Sequence, residues 1–212
     1  MITAARKRVL MAHLRPILLE IPERFEGRRV LLRPFVDDDA VTLHAAVKES
    51  REHLRPWMPW YDTHGTLNDT RDYIRTALGN WMLRTEFSMG IFARETGSFL
   101  GGAGLHIQSW DIPAFEIGYW IRKSAEGHGY VSEAARLLTT FAFEGLGAQR
   151  LVIRCDARNT RSAAIPRRLG YVLEGTHRRA DLDPEGQPRD TMVFAMLREE
   201  YTQARVAWPQ DL

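Results

Sequence analysis

The chain has 212 residues, 44% of them hydrophobic, and 29 Lys and Arg against 27 Asp and Glu give a formal net charge of +2. That length supports one well-buried core but not two full-sized domains, and no apolar run approaches the roughly 18 residues that read as a membrane span. The small net charge gives no argument for a nucleic-acid partner, and seven histidines without His-x-x-His or Cys-His spacing argue against a metal.

Met1 to Leu19 has a basic start and a mixed run from Val9, but His13, Arg15 and Pro16 interrupt any signal-peptide core. Residues 1–20 are therefore expected to be a loosely attached extension, with Met11 an alternative start, ahead of a single domain over 21–201 and a tail over 202–212. The single cysteine, Cys155, excludes an internal disulfide and suits a reducing compartment. Val30 to Phe35 reads as a strand, Asp37, Asp38 and Asp39 cap a helix to about Glu49, and Asn68 or Asp69 caps another to about Arg84. The β-rich runs Phe87 to Ala93, Phe99 to Ile107 and Ala114 to Ile121, separated by turn-forming segments, predict an antiparallel meander. A helix over 131–145, a strand over 150–155, a helix over 162–169 and strands over 171–179 and 190–198 finish the chain. Strand, helix and strand over 114–155 form a parallel crossover, so the class is α/β with a mixed sheet, and ligands are expected beyond the carboxyl ends of its parallel strands.

Gly127 and Gly129 flank His128 just ahead of the helix pattern Val131, Ala134, Ala135, Leu138. Glycines there allow positive φ and close approach, and the free N–H groups of Gly127, His128, Gly129, Tyr130 and Val131 would face a ligand that the helix dipole prefers to be anionic. This describes a pyrophosphate cradle, although two glycines in a strand-to-helix turn serve equally well as a tight connection. A P-loop is excluded because no Gly-Lys-Ser/Thr occurs. A dinucleotide fingerprint fails too: its third glycine would fall at Ser132, and the next strand ends too far along, at Cys155 and Asp156. Gly101, Gly102 and Gly104 lie inside a strand, where a bulge or close backbone packing accounts for them.

The segment Glu126-Gly127-His128-Gly129-Tyr130-Val131 resembles the Arg/Gln-x-x-Gly-x-Gly/Ala loop of the GNAT N-acetyltransferase superfamily, matched strictly only at Gly129. Asn159-Thr-Arg-Ser162 followed by Ile165-Pro166-Arg-Arg-Leu-Gly-Tyr171 resembles the Asn-x-x-Ser…Leu-Gly-Phe segment of its RimJ/RimL-like subgroup, which modifies N-terminal amines of ribosomal proteins. The stretches starting at Arg29, His53 and Leu173 agree, so the resemblance runs from about Arg28 to Tyr201. It implies the acyl-coenzyme A N-acyltransferase fold, a strongly twisted mixed sheet flanked by helices with two splayed parallel strands. It also implies acetyl-coenzyme A as co-substrate, no metal and a cytoplasmic setting. The pantetheine arm would lie along Tyr119, Trp120 and Ile121 as a false extra strand. Asn159 would reach it from the other side, or simply cap the following helix.

Direct attack of an amine on the thioester needs a neutral amine, a donor for the developing oxyanion and a proton for the thiolate. The tyrosine that many family members use for that proton is replaced by Pro166, and the resemblance implies Ser162 instead, a residue that also suits a helix N-cap. Tyr171 stands where the family has a packing Phe. The base would be Asp181, acting through a water, or Glu116, and either acid could be only an ion-pair partner. Trp57 and Trp60 would wall the acceptor groove or anchor the core, with Arg178 and Arg179 opposite. Cys155 reads as a buried strand cysteine, not a nucleophile. Acceptors compatible with this description are a protein N-terminus, as on a ribosomal protein, an aminoglycoside or a polyamine; neither nucleic acid nor membrane is expected, and a homodimer stays open. Glu126 would repel a pyrophosphate unless it turns to solvent, Arg122 or Lys123. With Pro166 it keeps a second class open, a non-catalytic acyl-coenzyme A sensor, while Ser162 with an acid at 181 favours the enzyme.

Overall fold

A computed structural model describes residues 15–58, 60 and 65–208. Residues 1–14 of the expected extension, Met11 among them, Pro59 of the tryptophan segment and the last four residues of the expected tail lie outside the described residues. One mixed eight-stranded sheet runs in the order β1-β2-β3-β4-β5-β6-β8-β7. Its strands are β1 (Phe25–Glu26), β2 (Val30–Pro34), β3 (Glu86–Ala93), β4 (Phe99–Ser109), β5 (Ala114–Ile121), β6 (Arg150–Asp156), β7 (Val172–Leu182) and β8 (Pro188–Leu197). The helices are α1 (Ala40–Glu49), α2 (Arg51–Leu54), α3 (Leu67–Leu83), α4 (Tyr130–Thr140), α5 (Thr160–Leu169) and α6 (Arg198–Ala207). No helix among the described residues is long and apolar enough to cross a membrane.

The period of two in β3 sets the layers. Phe87, Met89 and Ile91 point to one face, where they join Ala134, Ala135 and Leu138 of α4 in the larger core. The opposite face packs under α1 and α3 through Phe35, Leu43, Val47, Ile74 and Phe99. Close packing and a bulge both occur at the glycine cluster in β4. A Cβ at Gly101 would sit 2.2 Å from the Trp120 carbonyl oxygen, so β4 and β5 approach closely there. The register of β3 against β4 also shifts between Ile91 and Phe92, opposite this cluster.

Two helix starts differ from the expected ones. Thr66, not Asn68 or Asp69, caps α3: its hydroxyl accepts from the Asp69 N–H at 3.2 Å, and the Asp69 carboxylate accepts from the Thr66 N–H at 2.7 Å. Of the two caps considered for α5, Asn159 rather than Ser162 fills the role, its Oδ1 accepting from the Ser162 N–H at 3.0 Å, and the helix starts at Thr160 instead of 162. At the other end, α6 carries structure through the segment read as a tail. Tyr201 stacks on Phe143 and buried Trp208 packs edge-on against Tyr201.

The crossover positions the site. β5 and β6 pair in parallel only at Ala114 with Arg150, Phe115 with Leu151 and Glu116 with Val152. Beyond Glu116, β5 continues on β4 to Ile121 while β6 follows β8, so the two parallel strands part toward their carboxyl ends.

Candidate active site

The turn after β5 becomes the start of α4 through two left-handed glycines, Gly127 with φ 82° and Gly129 with φ 79°. Gly129 is the N-cap of α4. Among the described residues, the N–H groups from Gly127 to Ser132 have no acceptor, and they gather at the positive end of the helix dipole. Arg29 braces this loop, donating to the His128 carbonyl at 2.8 Å and to the buried Glu133 carboxylate at 2.9 Å. The Glu126 carboxylate meets Lys123 Nζ at 2.8 Å and the Arg161 guanidinium. The Lys123 hydrogen bond, with Arg161 beside it, holds that carboxyl below its usual range. Arg122, the other partner considered for Glu126, pairs with Glu49 instead.

Two clefts open along the splay. One, of about 820 Å³, is lined by Tyr119, Trp120 and Ile121, the glycine loop, and Asn159 to Ser162. The other, of about 710 Å³, holds Trp57, Trp60, Glu116, Arg154, Asp181 and Arg189 on its walls. They share Trp57, Met58, Tyr119, Trp120, Asn159 and Ser162. At this junction Ser162 Oγ donates to the Tyr119 hydroxyl at 3.3 Å, and that hydroxyl donates to the Ser162 carbonyl at 3.1 Å.

Glu116 is an ion-pair partner: Arg154 Nε and Nη2 reach its two oxygens at 3.0 and 2.7 Å, and its side chain is 16% exposed. Asp181 accepts from Thr191 Oγ1 at 2.8 Å through Oδ2, and its Oδ1 has no hydrogen-bond partner among the described residues. Trp60 tilts against Trp120 with ring centroids 5.7 Å apart and packs on the smaller core, as its anchor reading expects. Tyr171 is buried, its hydroxyl 2.7 Å from Thr139 Oγ1, which keeps it in the core and out of both clefts. Burial pushes the Cys155 thiol up, away from the thiolate a nucleophile requires. His128 stacks on Tyr130 at 5.7 Å and contributes its carbonyl to the Arg29 brace.

Arg178 is exposed and lines neither cleft. The register of β7 against β8 shifts between His177 and Asp181, and Arg179 takes a left-handed φ of 52°. A bulge of that kind re-aims the side chains beside it. Arg189, across the hairpin, stands in the cleft instead. Sequence reasoning also missed Arg161 and the hydroxyl of Tyr119. The uncompensated charge of Glu126 was a signal for the first, and the helix-interior Pro166 was a signal for the second.

The acetyltransferase (GNAT) domain family matches residues 29–172, a span holding the glycine loop, the splayed strands and the turn from Asn159 to Ser162. The chain is 35% identical over 152 residues to the ribosomal-protein-serine acetyltransferase of Escherichia coli strain K12, covering 71% of this chain and 83% of that protein. It is 24% identical over 194 residues to the ribosomal protein uS5-alanine N-acetyltransferase of the same strain, covering 86% and 94%. Among solved structures, RimL, a ribosomal alpha-N-protein acetyltransferase in complex with coenzyme A, superposes with a TM-score of 0.77 at 24% identity, covering 84% of this chain and 99% of that one, a likeness of fold. Loop, splay, junction and family match coincide on the same residues, and the chain belongs to the GNAT acetyltransferase family.

Proposed function

We propose that the chain transfers the acetyl group of acetyl-coenzyme A to the N-terminal amine of a protein, a ribosomal protein first among them, by direct attack in a ternary complex. The observation that carries this reading is the meeting of two clefts at Tyr119, Asn159 and Ser162. One cleft has the features a long phosphorylated cofactor needs: unpartnered N–H groups at a helix start for the pyrophosphate, and the β5 edge past Glu116 for an extended arm. The other gives the acceptor a tryptophan wall facing an acid. The names of the two Escherichia coli relatives support a protein acceptor.

In this reading Asp181 is the base. Both oxygens of Glu116 are held by Arg154, whereas Asp181 keeps Oδ1 for a water or the amine itself. An N-terminal amine has a pKa of about 8, so modest assistance from a base suffices. As the C–N bond forms and the C–S bond breaks, the amine's proton passes to Asp181 and the Ser162 hydroxyl, keeping its own proton, hydrogen-bonds the departing thiolate, which takes its proton from water; Pro166 cannot fill that role. Coenzyme release from acetyl-coenzyme A is measured against peptides with free ribosomal N-termini, the same peptides blocked, aminoglycosides and polyamines. Turnover of the free peptides alone is expected, with kcat lowered about a hundredfold in Ser162→Ala and Asp181→Ala at unchanged KM for acetyl-coenzyme A. Preference for the small amines would move the acceptor class, and coenzyme binding without turnover across the panel would make the chain a sensor.

A further inference from the structure

Pro166 lies inside α5 and has no N–H, so the Ser162 carbonyl four residues back loses the donor that an α-helix would supply. A side chain from another element takes that donor's place. The Tyr119 hydroxyl, reaching across from β5, donates to the Ser162 carbonyl at 3.1 Å and accepts from Ser162 Oγ at 3.3 Å. One phenol therefore engages both the main chain and the side chain of Ser162, at the junction of the two clefts.

We propose that Tyr119 is the positioning residue for Ser162: its phenol holds the serine hydroxyl at the cleft junction and donates to Ser162 Oγ when that hydroxyl turns to the departing sulfur. This rests on the acetyl-transfer reading above. No bond at Tyr119 is made or broken, because its one proton only changes acceptor, from the carbonyl oxygen to the hydroxyl oxygen of the same serine. A hydroxyl that accepts a hydrogen bond is a better donor, so the row from phenol to serine to sulfur strengthens itself. Burial raises the phenol pKa further above neutrality, which keeps the group a neutral donor. A purely structural role, filling the orphaned carbonyl, is separable from this one because the carbonyl is orphaned only by the proline at 166.

The test combines Tyr119→Phe with Pro166→Ala and reads kcat, coenzyme A affinity, melting temperature and the acidity of the bound coenzyme A thiol, followed by thiolate absorbance. Tyr119→Phe is expected to lower kcat about tenfold and to make the bound thiol about tenfold less acidic, with coenzyme affinity held within about twofold. Adding Pro166→Ala returns a backbone donor to the carbonyl, so the melting temperature recovers while kcat and thiol acidity do not. Recovery of wild-type kcat in the double variant, or unchanged thiol acidity in Tyr119→Phe, would overturn the proposal. The thiol readout needs bound coenzyme but no acceptor. A chain that turns over no amine yet shows the acidity change therefore refutes acetyl transfer and keeps the Tyr119 arrangement, and a chain that binds no coenzyme refutes both.

Discussion

Gly129 has the most constrained backbone of the glycine loop, because it is both the N-cap of α4 and left-handed at φ 79°. Any L-residue in that region costs about 1–2 kcal/mol, and a Cβ there would stand 3.3 Å from Arg29 Nη2. Gly129→Ala adds strain alone, whereas Gly129→Asp also puts a carboxylate among N–H groups that are proposed to hold an anion. Steady-state kinetics should show KM for acetyl-coenzyme A rising about tenfold or more in Gly129→Asp and much less in Gly129→Ala, with kcat at saturation little changed. Equal effects of the two would mean that charge in the loop is irrelevant. The glycines were legible in the sequence because a residue without a Cβ enters the left-handed region at a helix start free of strain. Glu126 was legible only in part: Lys123 is three positions away, so that pairing is local, while Arg161 arrives through the packing of α5 beside the loop.

At the scale of elements, two helices offer the same cap chemistry with different surroundings. Asn159 caps α5 beside both clefts, and Thr66 caps α3 in neither. Each change to alanine should cost about 1 kcal/mol in chemical denaturation. Only Asn159→Ala should also weaken acetyl-coenzyme A binding, measured by calorimetry, and equal coenzyme affinity in the two variants would reduce Asn159 to a cap. Both starts were misplaced by a few residues for one reason, that several cap-competent residues stand together in Thr66-Leu-Asn-Asp69 and in Asn159-Thr-Arg-Ser162. The strands of the meander were plain from their alternation, but the order of β7 and β8 was not. The hairpin is local, and only the near-continuous apolar run Met192 to Leu197, with Val193 to Met196 all buried, marks β8 as the inner strand against an exposed β7. The bulge that moves Arg178 out of the cleft leaves no such mark, so Arg189 could be found only from the folded chain.

Across the whole molecule, the helical cover over the tryptophan-lined cleft and the glycine loop belong to distant parts of the chain, and Glu49 joins them. It closes α1, pairs with Arg122 and accepts from the Ser124 N–H at 3.0 Å, while Ser50 Oγ accepts from the Lys123 N–H at 2.9 Å. The Arg122 hydrogen bond, aided by Ser124, pulls the Glu49 pKa from an ordinary 4.5 down to about 2. A carboxyl with a folded-state pKa below its unfolded value stabilises the fold fully above the unfolded value and loses that contribution as pH falls through the folded one. The stability that Glu49 supplies should therefore be present at neutral pH and fade between about pH 4.5 and pH 2. Thermal melts of the wild type and Glu49→Gln at a series of pH values should show a gap in melting temperature that closes over this window. Because the side chain is 33% exposed, the gap at neutral pH should also narrow in high salt. A gap that stays constant through the acid range would mean that the ionised carboxylate does not join cover to loop, and that the Lys123 N–H bond to Ser50 Oγ holds the two clefts in register.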